Sequence, residues 1–293
     1  MKDKIINYTY ALFGTSDFAA DFLEELFLLK SKLPDILICN PDKLKGRGLK
    51  LSEPPAKTWA KKHSLEVWQP EKLDDSVCAR LKQRNFDFFC VVSYGKILPE
   101  TIFGIPKSNT INIHPSLLPK YRGPTPLENQ ILADDLELGT TIIKIDDKVD
   151  HGPIIAQEKI NTKHWPMDKI TLGKLLAKKS ADLFNRTMAL WCGNSISPVA
   201  QDESLATYTR KIEKKDGLID LSQNQREIFL KYLAYKNWPG LYFLIKRNDP
   251  PMRVKITSAS FNDDKLVIEK VIPEGKKEIS WNEFSRSYSP FSD

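Results

Sequence analysis

The chain has 293 residues, of which 44 are basic and 38 acidic, a formal net charge of +6, and 41% of it is apolar. That is enough to bury a substantial core in one large or two ordinary domains, and too weak a charge to argue for nucleic acid by itself. No run of about 18 apolar residues offers a membrane-spanning helix, and Met1-Lys2-Asp3-Lys4 lacks the apolar stretch of a secretory signal.

In chain order, 5–13 reads as a first strand, followed by the turn Gly14-Thr15-Ser16 and a helix over 17–30 with Phe18, Phe22, Leu23, Leu26, Phe27 and Leu29 at helical spacing. A short strand at 35–39 and helices at 54–63 and 73–84 come next. The run D-F-F-C-V-V-S (87–93) is apolar almost throughout, as in a strand covered on both faces. A strand at 109–114, a helix at 125–133, strands at 140–145 and 154–160 and a long helix at 168–191 complete the pattern. Alternating strands and helices predict an α/β fold with a Rossmann-like, doubly wound, mostly parallel sheet. Ligands are then expected beyond the carboxyl ends of the strands. The turn-rich stretch 192–207 reads as a linker between a catalytic domain (1–191) and a small β-rich domain (208–293). The second domain shows one helix at 223–236 and strand candidates at 241–246, 253–260 and 265–272.

Four cysteines (Cys39, Cys78, Cys90, Cys192) stand far apart with no C-x-x-C pair, so neither a disulfide framework nor a Cys-rich zinc site is expected. A metal-free protein in a reducing cytoplasm follows as the expectation. No G-x-G-x-x-G or G-x-x-x-x-G-K-[ST] string supports a dinucleotide or nucleoside triphosphate site.

Chemistry concentrates between Thr110 and Gln157. In T-I-N-I-H, Asn112 and His114 alternate with Ile111 and Ile113, so the amide and the imidazole share a face, and Pro115 ends the strand. Asp150 precedes His151-Gly152-Pro153, a sharp turn. An amide to hold an oxyanion, an imidazole to move a proton and a carboxylate to orient it suit acyl transfer to an amine. Alone, each is a commonplace turn or strand-end residue. A second feature is the segment 43–62, with seven basic residues against one acid, Glu53. Its glycine-punctuated part, with Lys43, Lys45, Arg47 and Lys50, reads as a mobile exposed loop, suited to phosphates or merely solvated.

The string N-x-H-x-S-L-L-P-x-x-R-G followed by D-x-G resembles the folate-dependent formyltransferases. F-G-T-S-D-F-A-A (13–20), N-P-D-K-L-K-G-R-G-L-K-L (40–51), W-Q-P-E-K-L (68–73), V-S-Y-G-K-I-L-P (92–99), Q-D-E-S-L-A-T-Y-T-R-K-I (201–212) and N-W-P-G (237–240) extend the likeness over nearly the whole chain. They resemble the branch of that family that formylates initiator methionyl-tRNA. The resemblance implies Asn112, His114 and Asp150 as catalytic residues and 10-formyltetrahydrofolate as formyl donor. It also implies a folate pocket around Tyr94, Gly95, Ile97 and Leu98, with Ser116, Leu117, Leu118 and Pro119 and the loop residues Asp146 and Asp147. It further implies tRNA contacts by Lys43, Lys45, Arg47 and Lys50, an oligonucleotide-binding-like barrel in the second domain, and a monomer without membrane contact. The second domain has few strand candidates before residues 273–284 for a complete barrel. Amino-sugar formyltransferases and formyltetrahydrofolate hydrolases would keep the same triad without needing the basic loop. Glycinamide ribonucleotide transformylase resembles only the catalytic half. A tRNA-binding module with an inactive site would not need the intact N-x-H and D-x-G.

Overall fold

A computed structural model describes residues 8–45, 50–245 and 250–288. Its first elements are β1 (Tyr10–Gly14), α1 (Asp17–Leu28), β2 (Ile36–Ile38), β3 (Lys43–Lys45), β4 (Lys50–Ser52), α2 (Pro55–Lys62), β5 (Val67–Trp68), α3 (Asp75–Arg84), β6 (Phe88–Val92) and α4 (Glu100–Phe103). They are followed by β7 (Thr110–His114), α5 (Pro126–Leu132), β8 (Leu138–Lys144), β9 (Ile154–Ile160) and α6 (Lys169–Cys192). The chain continues with α7 (Gln225–Tyr235), β10 (Tyr242–Ile245), β11 (Met252–Asn262), β12 (Lys265–Pro273), β13 (Ile279–Ser280) and α8 (Trp281–Tyr288).

The described residues up to Pro126, with Glu137–Asn161 and Leu172–Thr209, form one compact unit. It is built on a seven-stranded sheet of order β5-β2-β1-β6-β7-β8-β9. The strands from β5 to β7 are parallel, while β8 runs antiparallel to β7 and β9 antiparallel to β8. All of β1 and β6 is buried, which explains their unbroken apolar runs. On one face Tyr10 stacks on Phe88 at 4.9 Å and meets Phe184 of α6, which packs edge-on to Phe22 of α1. On the other face Phe13 and Phe89 pack with Val77, Cys78 and Leu81 of α3 and Ile102 of α4. Burying such aromatic and aliphatic side chains contributes about 1.5–3 kcal/mol each. The two-residue β5 and the single-turn α4 were not expected, being too short to show a period.

The stretch 192–207 is not a free tether. Val199 pairs with Ile154 through two backbone hydrogen bonds of 2.7 and 2.8 Å, and Thr207 and Thr209 bond the backbone of Pro119 and Arg122. The basic segment also differs from the expected loop. Lys43–Lys45 and Lys50–Ser52 pair as a two-stranded hairpin, with Leu44 opposite Leu51. Arg47 lies outside the described residues, and of Lys45 only the backbone is described.

The second unit comprises Leu127–Leu136, Thr162–Thr171 and the described residues from Arg210 onward. Its sheet is antiparallel, of order β10-β11-β12-β13, with α7 and α8 packed on β12. Among the described residues β10 and β13 stand at its two edges, because β13 is only two residues long and the chain then turns into α8. Phe284 is fully buried edge-on to Phe243 at 5.9 Å. The two short segments are held to the rest of the unit by polar clasps: Arg226 grips Asp134 with three bonds of 3.1–3.2 Å, and Lys236 pairs with Asp168 at 3.1 Å.

Arg210 and the Glu213 N–H both bond Asp216, at 2.6–2.8 Å, and hold its carboxyl down at about 2, below its ordinary 3.8. A depressed carboxylate contributes stability that is present above the unfolded value and lost as pH falls through the folded one. This unit should therefore lose support between pH 3.8 and about 2. Asp216→Asn should flatten that part of the acid unfolding curve, as followed by circular dichroism.

Candidate active site

Strand β7 brings the first two polar groups together. Asn112 is opposite Val91 and Ile143, His114 is opposite Thr141, and both side chains point to the same face. Asp150 reaches them by a route not readable from element order. Because β8 runs antiparallel to β7, the β8–β9 turn begins beside Ile111, at the wrong end of the strand for His114. The turn folds back along the face, with Asp150 at φ +52°. A left-handed residue other than glycine costs roughly 1–2 kcal/mol, and aspartate is one of the few that tolerate it. Gly152 makes the fold-back possible, since a Cβ there would lie 1.8 Å from the Lys144 carbonyl oxygen.

The result is a closed constellation. Asn112 Nδ2 donates to Asp150 Oδ1 at 2.9 Å, and the Gly123 N–H donates to Asp150 Oδ2 at 2.7 Å. His114 Nδ1 faces Asp150 Oδ2 at 3.6 Å. His114 Nε2 meets the Tyr121 carbonyl oxygen at 2.9 Å. A carbonyl only accepts, so Nε2 carries a hydrogen. The imidazole is 4% exposed, more enclosed than an open cleft would leave it, whereas Asn112 and Asp150 are half-buried. Asp146 and Asp147 do not reach this group. Asp146 is paired with His151 at 2.6 Å and Asp147 is exposed.

The residues expected to line the folate pocket fall into different roles. Ser116, fully buried, donates through Oγ to the Lys120 carbonyl. Thr141 Oγ1 donates to the Ser116 carbonyl at 2.6 Å and accepts from the Leu118 N–H, while Gln157 donates to the Leu118 carbonyl. Leu117 presses on Gly139, and the Leu118–Pro119 peptide is cis. Leu118 and Leu98 are buried and Ile97 is 81% exposed. Tyr94 departs most from expectation. Its ring is 1% exposed and packs at 83° on Phe13, and burial pushes its hydroxyl up to about 12. What it offers locally is its backbone: the carbonyl accepts from Asn40 Nδ2 and Thr15 Oγ1, and Gly95 follows at φ +80°.

In the basic segment, Lys43 and Lys50 are exposed, as are Leu44 and Leu51 at 58% and 68%. Lys57 is neutralised by Asp42 at 2.8 Å and Glu53 at 3.3 Å, and Lys61 pairs with Glu53 at 2.9 Å. The surplus charge of the segment is thus smaller than its composition suggests.

Several residues support the site in roles that the sequence did not assign, although Arg122 and Gln201 stand in the strings that carry the resemblance. Arg122, 1% exposed, donates to Gln201 Oε1 through Nε and Nη2, to both Glu203 oxygens and to the Tyr208 hydroxyl. Its guanidinium holds the Glu203 carboxyl below the usual range. Gln201 Nε2 donates to the Asp150 carbonyl at 2.9 Å and the Gly152 carbonyl at 2.8 Å. His151, read as a loop residue, sits between Asp146 and Glu203.

A strand-borne amide and imidazole meeting a turn carboxylate can hold an oxyanion and pass a proton. The family model for formyl transferase matches residues 9–187, and that for the formyl transferase C-terminal domain matches 211–265. The chain belongs to the formyl transferase family. Among its family relatives, a methionyl-tRNA formyltransferase of Caldicellulosiruptor saccharolyticus is 38% identical over 235 residues, 80% of this chain and 75% of the relative. Another, of Dictyoglomus thermophilum, is 32% identical over 301 residues, 94% of this chain and 96% of the relative. The family fold is also seen in the methionyl-tRNA formyltransferase structure from Clostridium thermocellum, at TM-score 0.60 and 15% identity over 94% of this chain and all of that one. An N-formyltransferase from Helicobacter canadensis superposes at TM-score 0.64 with 19% identity, over 94% and 99% of the two chains.

Proposed function

We propose that this formyl transferase moves a formyl group from 10-formyltetrahydrofolate to the methionyl α-amine of initiator methionyl-tRNA, in the cytoplasm. The observation that carries the reading is the meeting of Asn112, His114 and Asp150 in a chain whose methionyl-tRNA formyltransferase relatives match both of its halves. Among the described residues no helix is long and apolar enough to cross a membrane.

One Asn112 N–H is used on Asp150, which leaves the second to meet the oxygen that gains charge when the amine attacks the formyl carbon. The carboxylate of Asp150 attracts the ammonium that this attack creates. His114, anchored by Nε2 to Tyr121, takes part in the proton path through Nδ1, beside Asp150. The proton that the amine loses ends on the nitrogen that releases the formyl group, so no metal or covalent enzyme intermediate is required. Exposed Ile97 and the backbone of Gly95, with the pinned Ser116–Pro119 segment and the turn residues Asp146 and Asp147, are the groups we assign to the folate.

The test offers 10-formyltetrahydrofolate with methionyl-tRNA, free methionine and a nucleotide-linked amino sugar side by side. Formylation of methionyl-tRNA alone supports the reading, and preference for the amino sugar overturns it. Lys43, Lys45, Arg47 and Lys50 are assigned to the tRNA. Replacing Lys43 and Lys50 together by alanine should weaken methionyl-tRNA binding and flatten its log–log salt dependence by about 0.9 for every phosphate no longer neutralised. Folate binding should stay unchanged.

A further inference from the structure

We propose that Gln201 is a positioning residue for formyl transfer, fixing the Asp150 carboxylate against Asn112 and His114 by clamping the backbone of its turn. The inference rests on the transfer reading above.

The orientation of the Gln201 amide is determined by its partners. Arg122 can only donate, so Oε1 must face the guanidinium, and the Asp150 and Gly152 carbonyls can only accept, so Nε2 must face them. Both ends of the amide are therefore engaged. The two clamped carbonyls flank His151, in the stretch where the turn folds back with Asp150 in the left-handed region.

The clamp closes a ring through three consecutive residues. The Tyr121 carbonyl accepts from His114, the Arg122 side chain holds Gln201, and the Gly123 N–H donates to the Asp150 carboxylate. Gln201 returns to the Asp150 carbonyl and completes the circuit. Asp150 is thus held at its carboxylate by one side of the ring and at its backbone by the other. The tripeptide that locates Gln201 also bonds the catalytic imidazole and carboxylate. Arg122 is itself fixed by the Thr207 carbonyl and the Thr209 N–H at 2.9 and 2.7 Å. No atom of Gln201 needs to touch substrate for its loss to be felt, because a displaced carboxylate costs rate steeply.

Gln201→Glu and Gln201→Ala, each alone and combined with Asp150→Asn, provide the test in a formyl-transfer assay with methionyl-tRNA and 10-formyltetrahydrofolate. The glutamate variant keeps an acceptor for buried Arg122 and replaces the N–H groups that hold the turn by a carboxylate oxygen, which repels the Asp150 and Gly152 carbonyls. It should melt near the parent temperature and lose about tenfold or more in kcat, with KM for both substrates unchanged. In the Asp150→Asn background neither replacement should lower kcat further, since residues acting through one group are not additive. A kcat within twofold of the parent for Gln201→Glu, a change confined to KM, or a full additive loss beside Asp150→Asn would overturn the proposal. An inactive parent protein would instead reject the transfer reading itself.

Discussion

Asp150→Asn is expected to lower kcat for formyl transfer by about 10²–10³, equivalent to roughly 2.7–4 kcal/mol of transition-state stabilisation. Asparagine keeps the shape and accepts the φ of +52° that alanine would resist, so the variant leaves the backbone of the turn in place and removes the charge and one accepting oxygen. The native carboxylate accepts from both Asn112 Nδ2 and the Gly123 N–H. An amide has one oxygen and cannot serve both donors. Asn112 would have to turn its own amide over, withdrawing the N–H assigned to the oxyanion. The imidazole would also lose the negative charge 3.6 Å from Nδ1. His114→Ala should cause a loss of similar size, and the double variant should be little worse than either, because the groups act on one oxyanion and one proton path. Single-turnover transfer beside a thermal melt distinguishes this from unfolding. Near-parent turnover in Asp150→Asn would remove the carboxylate from the mechanism.

Gly152→Ala is expected to be nearly as damaging, without touching a reacting atom. The added Cβ would lie 1.8 Å from the Lys144 carbonyl oxygen and 3.0 Å from its carbon, where no flexible side chain can yield. The β8–β9 turn must open, disturbing the 2.9 Å bond from the Lys144 N–H to the Pro153 carbonyl and the Gln201 bond to Gly152. A displacement of about 1 Å at a catalytic group can cost roughly 10²-fold, whereas overpacking costs the fold about 1–3 kcal/mol. Turnover should therefore fall by about two orders of magnitude while the protein still melts cooperatively. Unchanged kcat would mean that the turn expands without moving Asp150.

The parts of this site that follow from strand geometry were legible in the sequence. Alternation with Ile111 and Ile113 places Asn112 and His114 on one face whatever the rest of the chain does. Asp150 was legible only through the motif, since its approach depends on a turn that doubles back from the far end of an antiparallel strand. Gln201 and Arg122 stand in the strings that carry the resemblance, but their clamp was not legible, because a polar residue at such a position looks the same whether it tethers a turn or clamps a carbonyl. Tyr94 misled for a related reason: an aromatic at the end of a buried strand can line a cleft or pack on a neighbour such as Phe13, and nothing in its sequence surroundings distinguishes the two. The basic segment looked more charged than it is because Asp42, which neutralises Lys57, stands just outside it.

Arg122 sets where this protein can be divided. Its guanidinium is buried, and Gln201, Glu203 and Tyr208 all lie beyond residue 191, where the catalytic half was expected to end. A fragment stopping there would retain every catalytic side chain but lose the partners of Arg122 and, with Gln201, the clamp on the Asp150 turn. Any piece that keeps the turn in place must run at least to Thr209, and the segments Leu127–Leu136 and Thr162–Thr171 within it still need the residues from Arg210 onward as their partners. Chimaeras between members of this family should likewise exchange residues 192–209 together with the N-terminal half, as parts inherited in one block.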